Sequence, residues 1–278
     1  MSPPPTVTNS ELIELWVHGC SRHTSDAYRR YARRFFDHLG NKPLVQVTLS
    51  DIQAWQVSLI SSANSQRVAI GAIKSLFSFA HKLGVIPVNV GILVRSPPAA
   101  ERLAEKILTL AEVQLLIDTE TNPRNRAILR MLYSGGLRVS ELCGLKWRDF
   151  KPRGDGGQVT VFGKGGKTRT VLLAPGVWGE VCQLRGDALD DDPVFLSGKG
   201  GHLCRTQVFY IVKAAANRAG ISGNVSPHWL RHSHASHSLD RGAPIHLVQQ
   251  TLGHSSIAIT EKYLHARPTD SSALYLPD

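Results

Sequence analysis

The sequence predicts a mainly α-helical protein with a small β-sheet, arranged as two domains of different make-up. Three observations lead there. Apolar residues recur at three- and four-residue spacing through much of the chain, the period of an amphipathic helix. Two runs, Gln158–Phe162 and Arg169–Leu173, instead carry β-branched residues and flank a Gly- and Lys-rich turn. A stretch broken by prolines, VIPVNVGILVRSPPAAERLAEK, separates two halves that share no internal repeat. A length of 278 residues suits two ordinary domains, and a hydrophobic share of 42% excludes a globally disordered chain.

Residues 1–9 hold three consecutive prolines and read as a flexible arm. A helix then opens at Ser10-Glu11 with Leu12, Leu15 and Trp16, and a second runs from Ser21 to Leu39. A third starts at Ser50-Asp51 and carries Ile52, Trp55 and Leu59. A fourth runs from Ser65 to Leu83, with Val68, Ala72, Leu76, Phe79 and Leu83 as its apolar stripe. Residues 10–95 therefore form a helical domain, 96–106 a linker, and 107–278 a second domain. In the second domain Leu110–Asp118 and Arg124–Tyr133 read as helices, and Ser140–Trp147 as another, entered through Ser134-Gly135-Gly136. The hairpin comes next, turning at Gly163–Lys167. Helices return at Thr206–Ala219, Pro227–Arg241, Pro244–Leu252 and Ser256–His265. The second of these has Ser226 at the cap, Pro227 at the first helical position and Gly242 beyond its end.

The net charge is +10. No apolar run approaches the roughly 18 residues of a membrane span, and MSPPPTVTNSELIE lacks the basic and apolar regions of a signal peptide. Cys20, Cys143, Cys182 and Cys204 are scattered without a C-x-x-C pair, which favours reduced thiols and a cytoplasmic location. The charge fits either a nucleic-acid partner or a merely basic surface. On the Ser21–Leu39 helix, Arg29, Arg30, Arg33 and Arg34 share about 140° of arc at 100° per residue, opposite Tyr28, Tyr31, Ala32, Phe35 and Leu39. With no matching acids in view, this stripe suits a DNA backbone, where each neutralised phosphate releases counterions. A solvated helix face is the plain alternative. Arg67 and Lys74, two turns apart on the fourth helix, add a weaker signal.

Four segments concentrate chemistry. Gly136-Leu-Arg138-Val-Ser-Glu141 places a guanidinium at a helix start, where burial is costly unless it meets an acid or an anion. Phe162-Gly-Lys164-Gly-Gly-Lys167-Thr-Arg169 presents ammonium groups on a glycine turn. Ser226-Pro-His228-Trp-Leu-Arg231-His232 puts His228 and Arg231 on one helix face. Leu252-Gly-His254 is followed by Tyr263. Singly each is ordinary, since most lone tyrosines are core residues. Together they supply what transfers a phosphodiester to a phenol without metal: guanidiniums on nonbridging oxygens, a histidine for the phenol proton, a lysine for the leaving alkoxide, and a tyrosine nucleophile. A zinc site is the competing reading of His228, His232, His234 and His237, but no carboxylate or Cys joins them at ligand spacing and Arg231 lies among them.

In this order the segments resemble the tyrosine recombinase (phage integrase) family, and SPHWLRHSHASHSLDRGAPIHLVQQTLGHSSIAITEKYLH is close to its Xer-like branch. The likeness covers nearly the whole second half, and the first half is more loosely similar to the family's helical core-binding domain. It implies a mixed α/β catalytic domain and a two-domain clamp on duplex DNA. It also implies a site-specific recombinase that works through a 3′-phosphotyrosyl intermediate, with no cofactor and no metal. The partners implied are a double-stranded recombination site and either a homo-tetramer on synapsed DNA or a second recombinase. Arg138, Lys164, His228, Arg231, His254 and Tyr263 match the family's catalytic positions, and Glu141 a supporting acid. Lys167 competes with Lys164 for the general acid. The terminal segment is expected to dock on a neighbouring protomer. Asn89-Val90 departs from the Asn-Pro that often closes the first domain. A relative that binds DNA but has lost catalysis is the alternative, and the filled catalytic positions argue against it.

Overall fold

The computed structural model describes residues 7–98, 103–163 and 166–266. Residues 1–6, the middle of the expected linker at 99–102, Lys164 with Gly165, and the tail from 267 onward lie outside the described residues. The chain divides into two compact units, Met1–Glu101 and Arg102–Asp278.

The first unit is built from α1 (Asn9–Val17), α2 (Arg22–His38), α3 (Leu49–Ser58) and α4 (Ala63–Lys82). Thr8 and Thr48 cap α1 and α3 in reciprocal boxes with Glu11 and Asp51. Each box satisfies two otherwise orphaned amides, so these helices start ahead of the Ser-led starts the sequence suggests. Phe35 is the hub of the core, packed edge-on against Trp55 at 5.1 Å and Phe77 at 6.2 Å between ring centroids. The buried face of α4 is Ala69, Ile70, Ala72, Ile73, Leu76, Phe77 and Ala80. Val68 and Leu83 of the expected stripe lie at its edges, 48% and 46% exposed, because α4 packs against both α1 and α2 and its buried arc is centred between them. Leu15 is likewise exposed.

The second unit carries α5 (Leu110–Asp118), α6 (Pro123–Ser134) and α7 (Val139–Cys143), then β1 (Phe150–Arg153), β2 (Gly156–Phe162) and β3 (Thr168–Leu173). After them come α8 (Pro175–Cys182), α9 (Arg205–Arg218), α10 (Pro227–Asp240), α11 (Ile245–Leu252) and α12 (Ile257–Ala266). The strands form an antiparallel sheet in the order β1-β2-β3, with Phe150 opposite Val159 and Val159 opposite Val171. The core gathers Ile128, Leu129, Met131 and Leu132 of α6 with Val159 and Val161 of β2 and Val208 and Val212 of α9.

Three features depart from the sequence reading. The expected Ser140–Trp147 helix stops at Cys143, and Trp147–Asp149 forms a separate 3-10 turn in which Trp147 is buried. Gly144 closes the helix, since glycine gains little from continuing one. Strand β1 was not expected, because Lys151-Pro152-Arg153 lacks strand composition; as an edge strand it tolerates the proline. Helix α8 was not expected either, since its segment holds two glycines. Its Trp178 covers the face of β2 where Gly157 has no side chain, and a Cβ there would lie 2.0 Å from the indole. Among the described residues no helix is long and apolar enough to cross a membrane.

Candidate active site

The site grows from the C-terminal end of α11. The last carbonyls of any helix have no partner inside it and carry the negative end of its dipole. Here three consecutive carbonyls are each taken by a different arginine. Arg169 Nε on β3 donates to Thr251 O at 2.6 Å, Arg231 Nη2 on α10 to Leu252 O at 2.6 Å, and Arg138 Nη2 before α7 to Gly253 O at 2.9 Å. Gly253 makes this possible by turning left-handed at φ 62°.

A buried carboxylate binds two of the three. Glu141 accepts from Arg169 Nη1 and Nη2, both at 2.8 Å, and from Arg138 Nη1 at 2.7 Å. Its second oxygen also accepts the backbone N–H of Arg138 at 2.8 Å, which fixes the start of α7. Burial pushes the Glu141 carboxyl up, but these hydrogen bonds outweigh it and hold the acid at about 2. The acid expected to meet Arg138 is thus Glu141. Among the described residues Arg231 has no carboxylate within ion-pair distance. Its second bond goes to Gly136 O at 2.5 Å, and the side chain is buried. Desolvation, with Arg138 nearby, lowers its guanidinium to about 9. Gly136 sits at φ 58°, and a Cβ there would press 2.9 Å from Leu252 and 3.0 Å from His234, so the turn that feeds Arg231 requires glycine.

Tyr263 enters from α12 and is only 5% exposed. Its hydroxyl shares a 2.7 Å hydrogen bond with His232 Nδ1, and its ring stacks on His254 at 6.3 Å between centroids and 4° between planes. His254 is itself anchored to the Thr260 hydroxyl at 2.9 Å. Burial raises the phenol's pKa, while Arg231 opposes the rise. Burial, joined by His228, Lys106 and Arg231, lowers His232 to about 4; burial, joined by Arg231, Arg138 and Arg169, lowers His254 to about 4; and burial with Arg231 and Arg138 lowers His228 as well. The histidines are therefore neutral at neutral pH, able to accept protons in a shell of fixed positive charge.

Of the residues singled out from sequence, the structure brings Arg138, Glu141, Arg231, His254 and Tyr263 together, with His228 one helical turn from His232. Lys164 lies outside the described residues. Its competitor Lys167 is exposed, and its carbonyl closes the hairpin by accepting Gly163 N–H at 2.7 Å. Two residues were missed. Arg169 alternates with buried Val171 and Leu173 along β3, so it points inward, and an inward arginine on a strand needs an acid. His232 neighbours Arg231 in sequence but meets Tyr263 only through the packing of α10 against α12. The other histidines of α10 face elsewhere: His237 Nδ1 bonds the Tyr133 hydroxyl at 3.0 Å, and half-buried His234 lies beside Gly136. Among the described residues no group of three or more His, Cys, Asp or Glu side chains could hold a metal ion.

On the first unit, Arg30, Arg33 and Arg34 are exposed along α2, as is Arg67 on α4. Two residues of the expected basic set differ. Arg29 is clamped by Glu14 of α1 through Nε at 2.9 Å and Nη2 at 2.7 Å and lies 3.8 Å from Asp26, so the stripe does have matching acids, the stronger of which the sequence separates by fifteen residues. Lys74 Nζ donates to Val94 O at 2.9 Å and ties down the segment after α4.

Residues 106–270 match the family model of the phage integrase family, and residues 11–83 match that of the phage integrase N-terminal SAM-like domain. Tyrosine recombinase XerD of Mycobacterium tuberculosis (strain ATCC 25618 / H37Rv) is 35% identical, with 88% of each chain covered. Tyrosine recombinase XerC of Xylella fastidiosa (strain M23) is 35% identical, over 89% of this chain and 87% of that one. Among solved structures, XerA recombinase aligns over 96% of this chain and 95% of its own at 28% identity and a TM-score of 0.53. A lambda integrase(75-356) dimer bound to a COC′ core site aligns over 95% of both chains with a TM-score of 0.77, and at 20% identity it shows the shared fold. Family models over both units and relatives along most of the chain agree: it belongs to the phage integrase family and is a tyrosine-type site-specific DNA recombinase of the Xer-like branch.

Proposed function

We propose that Tyr263 is the nucleophile that attacks a DNA phosphodiester and holds the cut strand as a 3′-phosphotyrosyl ester. The observation that carries this reading is the burial of the Tyr263 hydroxyl beside Arg231, in one cluster with Arg138 and three neutral histidines. In this mechanism Arg138 and Arg231 clamp the nonbridging oxygens as charge builds on the pentavalent phosphorus. Two N–H donors of Arg231 are already committed to backbone carbonyls, which fixes the plane of the fork before DNA arrives. Glu141 keeps Arg138 in place. His228 and His254 line the same pocket, and Lys164 protonates the leaving 5′-oxygen, with Lys167 as the competing donor. The freed 5′-hydroxyl of a partner strand then attacks the phosphotyrosine. No external energy source is consumed, because the ester conserves the bond.

The substrate is a double-stranded recombination site, with residues 10–95 as the DNA-clamp domain and 107–278 as the catalytic domain. Arg30, Arg33, Arg34 and Arg67 contact the backbone, and Arg29 and Lys74 contribute less because each already has a partner. The reaction takes place in the cytoplasm on paired sites, within a tetramer of this chain or with a second recombinase. A nicked suicide duplex carrying the site, selected by footprinting, tests the assignment. Wild type should form a covalent adduct that Tyr263→Phe abolishes while DNA binding persists. An adduct that survives the substitution overturns it.

A further inference from the structure

Two histidines pack against the Tyr263 ring, and among the described residues His232 alone of these hydrogen-bonds the atom that reacts. His254 lies against the face of the phenol ring, with its Nδ1 engaged by Thr260. His228 stands behind His232, 6.4 Å away between ring centroids. His232 Nδ1 is 2.7 Å from the phenolic oxygen. His232 adjoins Arg231 on α10 and is not among the residues matched above to the family's catalytic positions.

We propose that His232 is the catalytic base that takes the phenolic proton of Tyr263. The inference rests on the recombinase reading above and deepens it. In the cleavage step the Tyr263 O–H proton moves to His232 Nδ1 as the Oη–phosphorus bond forms. The bond from phosphorus to the 5′-oxygen breaks, and that oxygen takes a proton from the lysine acid assigned to Lys164. In the rejoining step the incoming 5′-hydroxyl gives its proton back to that lysine as its oxygen bonds to phosphorus, the Oη–phosphorus bond breaks, and His232 returns its proton to the departing phenolate. No oxidant, metal or further reactant enters.

The surroundings suit this task. Burial holds the phenol above its ordinary pKa, so at neutral pH it needs a base. The groups facing His232 are His228 and Arg231 from α10, Lys106 from the turn before α5, His254 from the end of α11, and Tyr263 from α12. Together with burial they keep the imidazole unprotonated and ready to accept. A phosphate clamped by Arg138 and Arg231 brings the negative charge that favours the imidazolium once the proton has moved.

The test uses the full chain and the nicked suicide duplex in single-turnover reactions. His232→Asn places an amide where Nδ1 stood, so it keeps a hydrogen bond but cannot carry the proton. It should bind DNA as wild type does and form the adduct roughly 100-fold more slowly, within the range of general-base contributions. The deficit should narrow as pH rises from about 7 toward the phenol's own ionisation. An unchanged rate, a faster rate, or a deficit that does not vary with pH overturns the proposal; the faster rate would mark a resting hold on Tyr263, and the constant deficit a positioning contact alone. A measurement on the unaltered protein stands beside it. The 15N shift of His232 should show Nδ1 without a proton in the free chain, and a protonated Nδ1 overturns the proposal even if the Asn variant fails to fold. If wild type itself forms no adduct on the selected site, the recombinase reading of Tyr263 fails, which is a different result.

Discussion

The two units use arginine in opposite ways. On α2 the guanidiniums of Arg30, Arg33 and Arg34 stand in solvent, and among the described residues Arg29 alone of these four pairs with carboxylates, Glu14 and Asp26, both exposed. In the second unit Arg138, Arg169 and Arg231 are each tied to backbone carbonyls at the end of one helix, and two of them share the buried Glu141. An exposed guanidinium can follow a phosphate wherever it lies, and salt screens it. A guanidinium held by main-chain oxygens has one orientation, which is what a transition state requires. The same residue type therefore supplies adjustable affinity in one unit and fixed geometry in the other.

The largest effect should come from breaking the second kind. Arg231→Ala leaves the buried oxygens of Gly136 and Leu252 without their donor, at a cost of about 1–3 kcal/mol for each. Urea denaturation should show that loss, and adduct formation should vanish; a stability equal to that of an Arg33→Ala chain would erase the contrast between the units. Glu141→Gln is next. The Glu141 carboxyl sits at about 2 in the folded chain against an ordinary 4.5. Its stabilisation is therefore complete above pH 4.5 and fades as pH falls toward 2, amounting to roughly 3 kcal/mol. Acid titration of unfolding should show wild type losing stability through that window and the Gln variant losing less, because it lacks this increment throughout. The smallest structural effect belongs to Arg33→Ala with Arg34→Ala. Urea stability should stay as in wild type, while the slope of log affinity against log salt falls by about 2. Arg29→Ala should change that slope less, because Glu14 already neutralises it; an equal change would show that DNA displaces the pair.

Local signals carried most of the fold. Helical spacing located the helices of the first unit, although the arc that α4 buries was set by neighbours on two sides, so Val68 and Leu83 sit at its rim. The hairpin was legible from β-branched runs around glycines, whereas β1 and α8 were not, since an edge strand with Pro152 and a helix with Gly176 and Gly179 become ordered by packing on β2. At the site, Arg138 and Glu141 could be linked because they lie three residues apart on one turn. The bond from His232 to Tyr263 spans thirty-one residues and two helices, and no periodicity encodes it. Arg169 was readable in principle, through its alternation with Val171 and Leu173.

The end of α11 has a further consequence. Peptide oxygens are present whatever the side chain, so Thr251 can change identity without removing the acceptor of Arg169. What cannot change is the count of residues. One residue inserted between Gln250 and Thr251 would rotate the three acceptors by about 100° around the helix axis, releasing Arg138, Arg169 and Arg231 from a common frame in a single step. Insertions and deletions there should be far more damaging than substitutions at Thr251, because the frame is written in the spacing of the main chain.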